Sequence, residues 1–197
     1  MRFIGKPFAL CATVAAALLG WVAAISGASA QTPASDDRRF PSIDEVRFGA
    51  MMHNVEPAND EEGVDLNLEV LFRRAAIAYN NAFLDVVLRP RLHLGASINL
   101  AGETSQLYAG FTWDVRVAPR LSFEVTFGGA VHDGPTGDGH SDSYGCAANF
   151  RESASVGYAL DERWTIYGTV AHMSNGNLCD HNSGLTSVGM RLGYKLQ

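Results

Sequence analysis

The chain lacks the short motifs that mark the commonest enzyme classes. Its 197 residues hold no GxSxG elbow, no HExxH helix, no P-loop and no CxxC pair, so those signatures carry no reading here. Its six histidines are dispersed, with no pair at metal-ligand spacing, and neither a metal nor a cofactor is expected. Positive charge is scarce. Fifteen Lys and Arg against 21 Asp and Glu give a net charge of −6, which argues against nucleic acid as a partner. Beyond the first thirty residues no apolar run reaches the roughly 18 residues that a membrane helix needs. Asp133, Asp138 and Asp142 stand among glycines and read as a solvated loop rather than a calcium site.

What is present begins with an export signal. Arg2 and Lys6 precede an apolar stretch from about Phe8 to Ile25, and Ala28-Ser29-Ala30 gives a small-x-small cleavage pattern. Residues 1–30 therefore read as a signal peptide, 31–41 as a polar, flexible leader, and 42–197 as the folded domain. Without the signal, 13 basic residues face 21 acidic ones, a net charge of −8. The exported part keeps two cysteines, Cys146 and Cys179, and an even count in an oxidising compartment favours one disulfide over two free thiols.

From Val46 onward the dominant signal is alternation with period two. Leu66, Leu68, Val70 and Phe72 alternate with Asn67, Glu69 and Arg73; Leu92 to Leu100, Leu107 to Val115 and Leu121 to Val131 repeat the pattern. Three further segments run from about Ala148 to Leu160, Trp164 to Asn175 and Gly184 to Leu196. With the segment around Val46 to Met52, this makes eight strands. Ala75 to Arg89 is apolar without strict alternation and is expected to hold a short helix or turn at a barrel end. A soluble sandwich would also alternate. The even count, the strand length and the mix of short turns with long loops favour an eight-stranded antiparallel transmembrane β-barrel, all-β, in the outer membrane. A barrel that small is filled by side chains, so Glu69, Arg91, Asp114, Glu124 and Arg151 are expected inside, and transport is disfavoured.

One strand end carries reactive groups. His172 and Ser174 are two residues apart, so a strand points both to one face, the minimum pairing of a base and the nucleophile it activates. Trp164, Ile166 and Val170 share that parity, which makes it the lipid-facing side. Unpaired polar groups there are unfavourable, and Asn175 and Gly176 follow at once as oxyanion donors.

These residues carry a resemblance. His172-Met173-Ser174-Asn175, then Leu178, Asn182 and Gly184, and a closing strand with Gly193-Tyr194 resemble the outer-membrane lipid A 3-O-deacylase (PagL) family. The specific part covers the last thirty or so residues; strand count and export signal agree over the rest. The resemblance implies an eight-stranded barrel with a His-Ser-Glu triad on its lipid-facing surface and an ester hydrolase acting at the 3 position of lipid A. It makes Ser174 the nucleophile, His172 the general base, and Asn175 with the amides near Gly176 and Asn177 the oxyanion hole. The partners it implies are lipopolysaccharide in the outer leaflet and the membrane itself, with a homodimer left open.

The family's acid position falls on Thr186, which can orient an imidazole but cannot balance its charge. A replacement is offered by register. Folding the sixth and seventh strands about Asp161-Glu162-Arg163 sets Glu152 directly opposite His172, with Cβ atoms about 4.5–5.5 Å apart. The other reading of Glu152 is a β-bulge near Arg151 that turns it inward. A non-catalytic structural or adhesion barrel remains the competing function, and Thr186 is the residue that keeps it open.

Overall fold

The computed structural model describes residues 42–56, 61–77, 79–138 and 142–196; the expected signal peptide and leader lie outside them. Eight antiparallel strands close on themselves: β1 (Ile43–Met52), β2 (Val64–Phe72), β3 (Arg91–Asn99), β4 (Gln106–Ala118), β5 (Leu121–His132), β6 (Ala148–Ala159), β7 (Trp164–Ser174) and β8 (Leu185–Lys195). Each pairs with its neighbours in sequence, and β1 pairs with β8 from Glu45 opposite Lys195 to Met52 opposite Val188. Closure leaves no edge strand, which is what a sheet needs where no water can satisfy its backbone.

Alternation decides which way every side chain faces. Phe48, Leu66, Leu68, Leu94, Ile98, Leu107, Phe111, Phe127, Val131, Val156 and Met190 all point outward and are exposed. An apolar wall of that extent is far beyond what a water-soluble monomer presents; it fits a barrel surrounded by lipid. Among the described residues no helix is long and apolar enough to cross a membrane, and the strands do the crossing.

The interior is a network of ions. Arg47 reaches both carboxylate oxygens of Glu124, at 2.7 and 2.8 Å, and Glu45 at 2.8 Å. Arg191 pairs with Glu69 at 3.0 Å, and Arg91 with Glu45 at 2.8 Å. Arg151 stacks on Tyr108, 3.7 Å from the ring centroid, and donates to Gln106 at 3.0 Å. Buried charges are tolerable only when matched in this way. Glu69, Arg91, Glu124 and Arg151 are therefore inside as expected; Asp114, opposite Glu124, shares their inward face but lies at the rim. It sits near the end of β4, half-buried, and pairs with Arg74 at 2.6 Å. Arg47 and Arg191 take the central places instead.

The short helix expected at a barrel end forms, and one loop departs from its expectation. The long connection between β2 and β3 lies at the end where the other turns are short, because it folds into a helix, α1 (Ala82–Leu88). Asn81 caps it by accepting from Phe83 and Leu84 amides, and Trp113 Nε1 on β4 donates to the Val87 carbonyl at 3.0 Å. At the opposite end, the glycine-rich loop after β5 is only partly solvated. Asp142, Ser143 and Tyr144 are buried, while Asp138 is exposed and pairs with His181 at 2.7 Å.

Candidate functional site

Ser174 is the last residue of β7, and it faces outward two positions after His172. A strand advances about 3.4 Å per residue, so their Cα atoms are about 6.8 Å apart on one face, a span an imidazole can bridge. Beyond Ser174 the chain turns sharply. Gly176 and Asn177 both have φ of +64°, and the Leu178 amide donates to the Asn175 carbonyl at 3.2 Å, the geometry of a type I′ turn. Glycine and asparagine are the residues that adopt this backbone at least cost. Among the described residues nothing accepts from the amides of Gly176 and Asn177, which stand beside the serine.

Asn175 has a different task. Its backbone amide donates to Asn182 Oδ1 at 2.9 Å, and its side-chain amide donates to the Tyr144 carbonyl at 2.8 Å and to the His181 carbonyl. Both hydrogens of that amide are thus committed. Asn175 is buried and braces the turn from below, so its side-chain amide has no hydrogen left for a further acceptor. Cys146 and Cys179 are joined by a disulfide that ties the loop after β5 to the loop after β7. Tyr144 and His181, the two residues that hold the Asn175 side chain, lie close to the disulfide in sequence on either side.

The imidazole is held from β8. His172 lies opposite Thr186 on that side and opposite Glu152 on β6. The β6–β7 register is the one the short turn dictates, and the burial alternation runs unbroken through Arg151 and Glu152. Glu152 therefore faces outward and the inward bulge does not form. No hydrogen bond joins Glu152 to His172 among the described residues. His172 Nδ1 instead lies 2.8 Å from Thr186 Oγ1. Gly184, with φ of +71°, clears the other edge of the ring: a Cβ there would lie 3.0 Å from His172 Cε1.

A second carboxylate reaches this cluster. Glu56, in the loop after β1, lies with Oε1 3.5 Å from His172 Nδ1 and accepts a hydrogen bond from the Thr186 hydroxyl. It falls within the acidic loop at 54–63, where the sequence offers no periodicity to place a side chain. The signal that finds it is barrel closure. Once β1 is paired to β8 with Met52 opposite Val188, the next residues of the chain run towards Thr186.

On the outer wall beside Ser174 lies an open groove of about 410 Å³, lined by Phe127, Gly128, Gly129, Ala148, Phe150 and Leu178 among others. Phe150 is the register partner of Ser174, and its ring stacks on Phe127 with centroids 6.0 Å apart. A Cβ on Gly129 would meet only a carbonyl oxygen at 3.6 Å, so the glycine leaves a gap in an otherwise bulky wall. Asn175 and Leu178 carry the groove to the turn that follows Ser174, while Ser174 and His172 stand beside it rather than in its lining.

Comparison with known proteins bears on the family and the fold. The family model described as Lipid A 3-O-deacylase (PagL) matches residues 93–195, more than half of the chain. Among solved structures, the crystal structure of the outer membrane enzyme PagL is similar with a TM-score of 0.55 at 14% identity, covering 78% of this chain and 99% of that one. A de novo designed transmembrane β-barrel (TM-score 0.49, 13% identity, 80% and 98% covered) and the Yersinia pestis outer membrane protein Ail (0.43, 13%, 78% and 98%) are also similar. No curated protein matches the chain. With its lipid-facing wall, the closed barrel is that of an outer-membrane protein, and the chain belongs to the lipid A 3-O-deacylase (PagL) family.

Proposed function

We propose that this protein is an outer-membrane serine esterase that removes the acyl chain ester-linked at the 3 position of lipid A. The observation that carries the reading is the position of His172 and Ser174. They occupy the lipid-facing side of β7 where the strand ends, and the imidazole is anchored through Nδ1 to Thr186.

The reaction follows from that placement. With Nδ1 engaged on β8, Nε2 is the nitrogen left to accept the Ser174 proton as Oγ attacks the ester carbonyl. The developing oxyanion is met by the amides of Gly176 and Asn177, fixed in direction by the I′ turn and hence already oriented before reaction. Collapse of the tetrahedral intermediate breaks the bond to the sugar oxygen, which takes its proton from His172 and leaves as the 3-hydroxyl. Water, deprotonated by the same imidazole, then cleaves the acyl-serine to a free hydroxy fatty acid. The apolar groove past Phe150 and Gly129 offers the acyl chain a path that never leaves the lipid phase.

A serine-directed fluorophosphonate tests the nucleophile. One adduct is expected, mapped by peptide mass spectrometry to Ser174 and absent from Ser174→Ala and His172→Ala. A barrel that stays unlabelled would favour the non-catalytic structural reading.

A further inference from the structure

The family's acid position carries Thr186, and a hydroxyl alone leaves an imidazole ambiguous, because it can donate to a bare Nδ1 as readily as accept from a protonated one. We propose that Glu56, delivered by the loop after β1, removes that ambiguity and serves as the displaced acid of the site, acting on His172 through Thr186. The inference rests on the esterase reading and names a positioning residue within it.

Proton counting carries the argument. An ionised carboxylate only accepts, so the Thr186 hydroxyl must give its single hydrogen to Glu56 Oε1. Thr186 Oγ1 then has only lone pairs to offer His172 Nδ1, 2.8 Å away. The contact can therefore be a hydrogen bond only if Nδ1 holds the proton, which leaves Nε2 as the base on the side of Ser174. The Glu56 carboxylate, 3.5 Å from Nδ1, also supplies the negative charge that Thr186 lacks when the ring becomes cationic. Tautomer and charge, the two services of a triad carboxylate, are thus divided between a strand residue and a loop residue.

The backbone holds the loop in place for this. The Val55 amide donates to the Thr186 carbonyl at 2.8 Å, extending the β1–β8 ladder past the strand end. Asn54, at φ of +40°, bends the chain just before it, and its Oδ1 accepts from the Glu56 amide at 3.3 Å. Both ends of the loop are also fixed. His53 and Glu61 bond each other at 3.0 Å, and His53 bonds Asp65 at 2.8 Å. Glu56 lies outside the residues that match the family model, 93–195.

The test combines activity with a readout that does not depend on it. Kinetics on lipid A are measured for the wild type, Glu56→Gln, Glu56→Ala and Glu56→Ala combined with Thr186→Glu, each shown to be folded by heat-modifiable migration. Glu56→Ala is expected to lower kcat by roughly 10²-fold with KM near the wild-type value. Glu56→Gln, which keeps an acceptor but no charge, is expected to fall between. Thr186→Glu added to Glu56→Ala is expected to restore most of the loss, which no purely structural role of the loop explains. In parallel, ¹⁵N NMR of the His172 ring in micelles should show the Nδ1–H tautomer in the wild type and a mixture in Glu56→Ala. An unchanged kcat, an unchanged tautomer, or no rescue by Thr186→Glu in a folded barrel would overturn the proposal. Wild-type protein inactive on lipid A would remove the esterase reading instead, and the ring tautomer would still decide the role of Glu56.

Discussion

In the proposed reaction His172 serves only if its ring sits at one angle, and three neighbours bear on that angle. Thr186 holds Nδ1, Glu56 stands behind Thr186, and Gly184 leaves room at Cε1. Gly184 is the least obvious of these. A Cβ there would lie 3.0 Å from the ring, and its φ of +71° already disfavours any other residue. Gly184→Ala is therefore expected to keep the barrel folded while tilting the imidazole, with a fall in kcat of at least about tenfold, since small misplacements of a catalytic group are costly. Steady-state kinetics beside the detergent-gel mobility of the folded form check it; full activity in the folded variant would show that the ring does not need the space.

The same neighbours show what residue types and spacing convey. His172, Ser174 and Thr186 were legible in the sequence, because strand parity and a short turn fix their faces and register. Alternation gives the inward face of Asp114 but not its depth along the strand, and near the rim an inward position opens to solvent. Counting from the turn sets Glu152 opposite His172, yet register sets Cβ separation and says nothing about which ring nitrogen finds which partner. Glu56 was invisible for a different reason. It lies in a loop, where no period exists, and its neighbour Thr186 is 130 residues away in sequence.

At the level of elements, the loop after β1 is the part that brings chemistry to a wall of strands. Its ends are held by a buried cluster in which Glu61 accepts from Tyr144 at 2.6 Å and from Thr104 at 2.7 Å, and bonds His53. Burial disfavours the His53 imidazolium, but its bonds to Asp65 and Glu61 outweigh this and hold its pKa up to about 9, from 6.5. Burial likewise opposes the Glu61 carboxylate, and the bonds from His53, Tyr144 and Thr104 outweigh it and hold its pKa below the usual 4.5. The signs give a window. The His53 contribution is complete below about pH 6.5 and is lost as pH rises through about 9; the Glu61 contribution is present above about 4.5 and is lost on acidification. Thermal unfolding in detergent should accordingly show stability falling between pH 7 and 10, with a shallower fall in His53→Gln. Equal slopes in the two proteins would mean that His53 does not anchor the loop.

At the scale of the whole molecule, the barrel divides its two surfaces between two kinds of energy. The inside is a set of matched ions around Arg47, Arg91 and Arg191, which fills the lumen. The outside is apolar, and in the proposed reaction Ser174 on it meets a substrate that arrives sideways from lipid rather than from water. Two loops are tied together above β7 by the disulfide and by Asn175, so the turn that aims the Gly176 and Asn177 amides is held by parts distant in sequence. The measurement that bears most directly on this account is mass spectrometry of lipid A after incubation with the protein reconstituted in lipid vesicles, beside Ser174→Ala. The account predicts loss of one ester-linked hydroxyacyl chain, from the 3 position, by the wild type alone. Lipid A left intact by the folded wild type, or cleaved equally by Ser174→Ala, would contradict it.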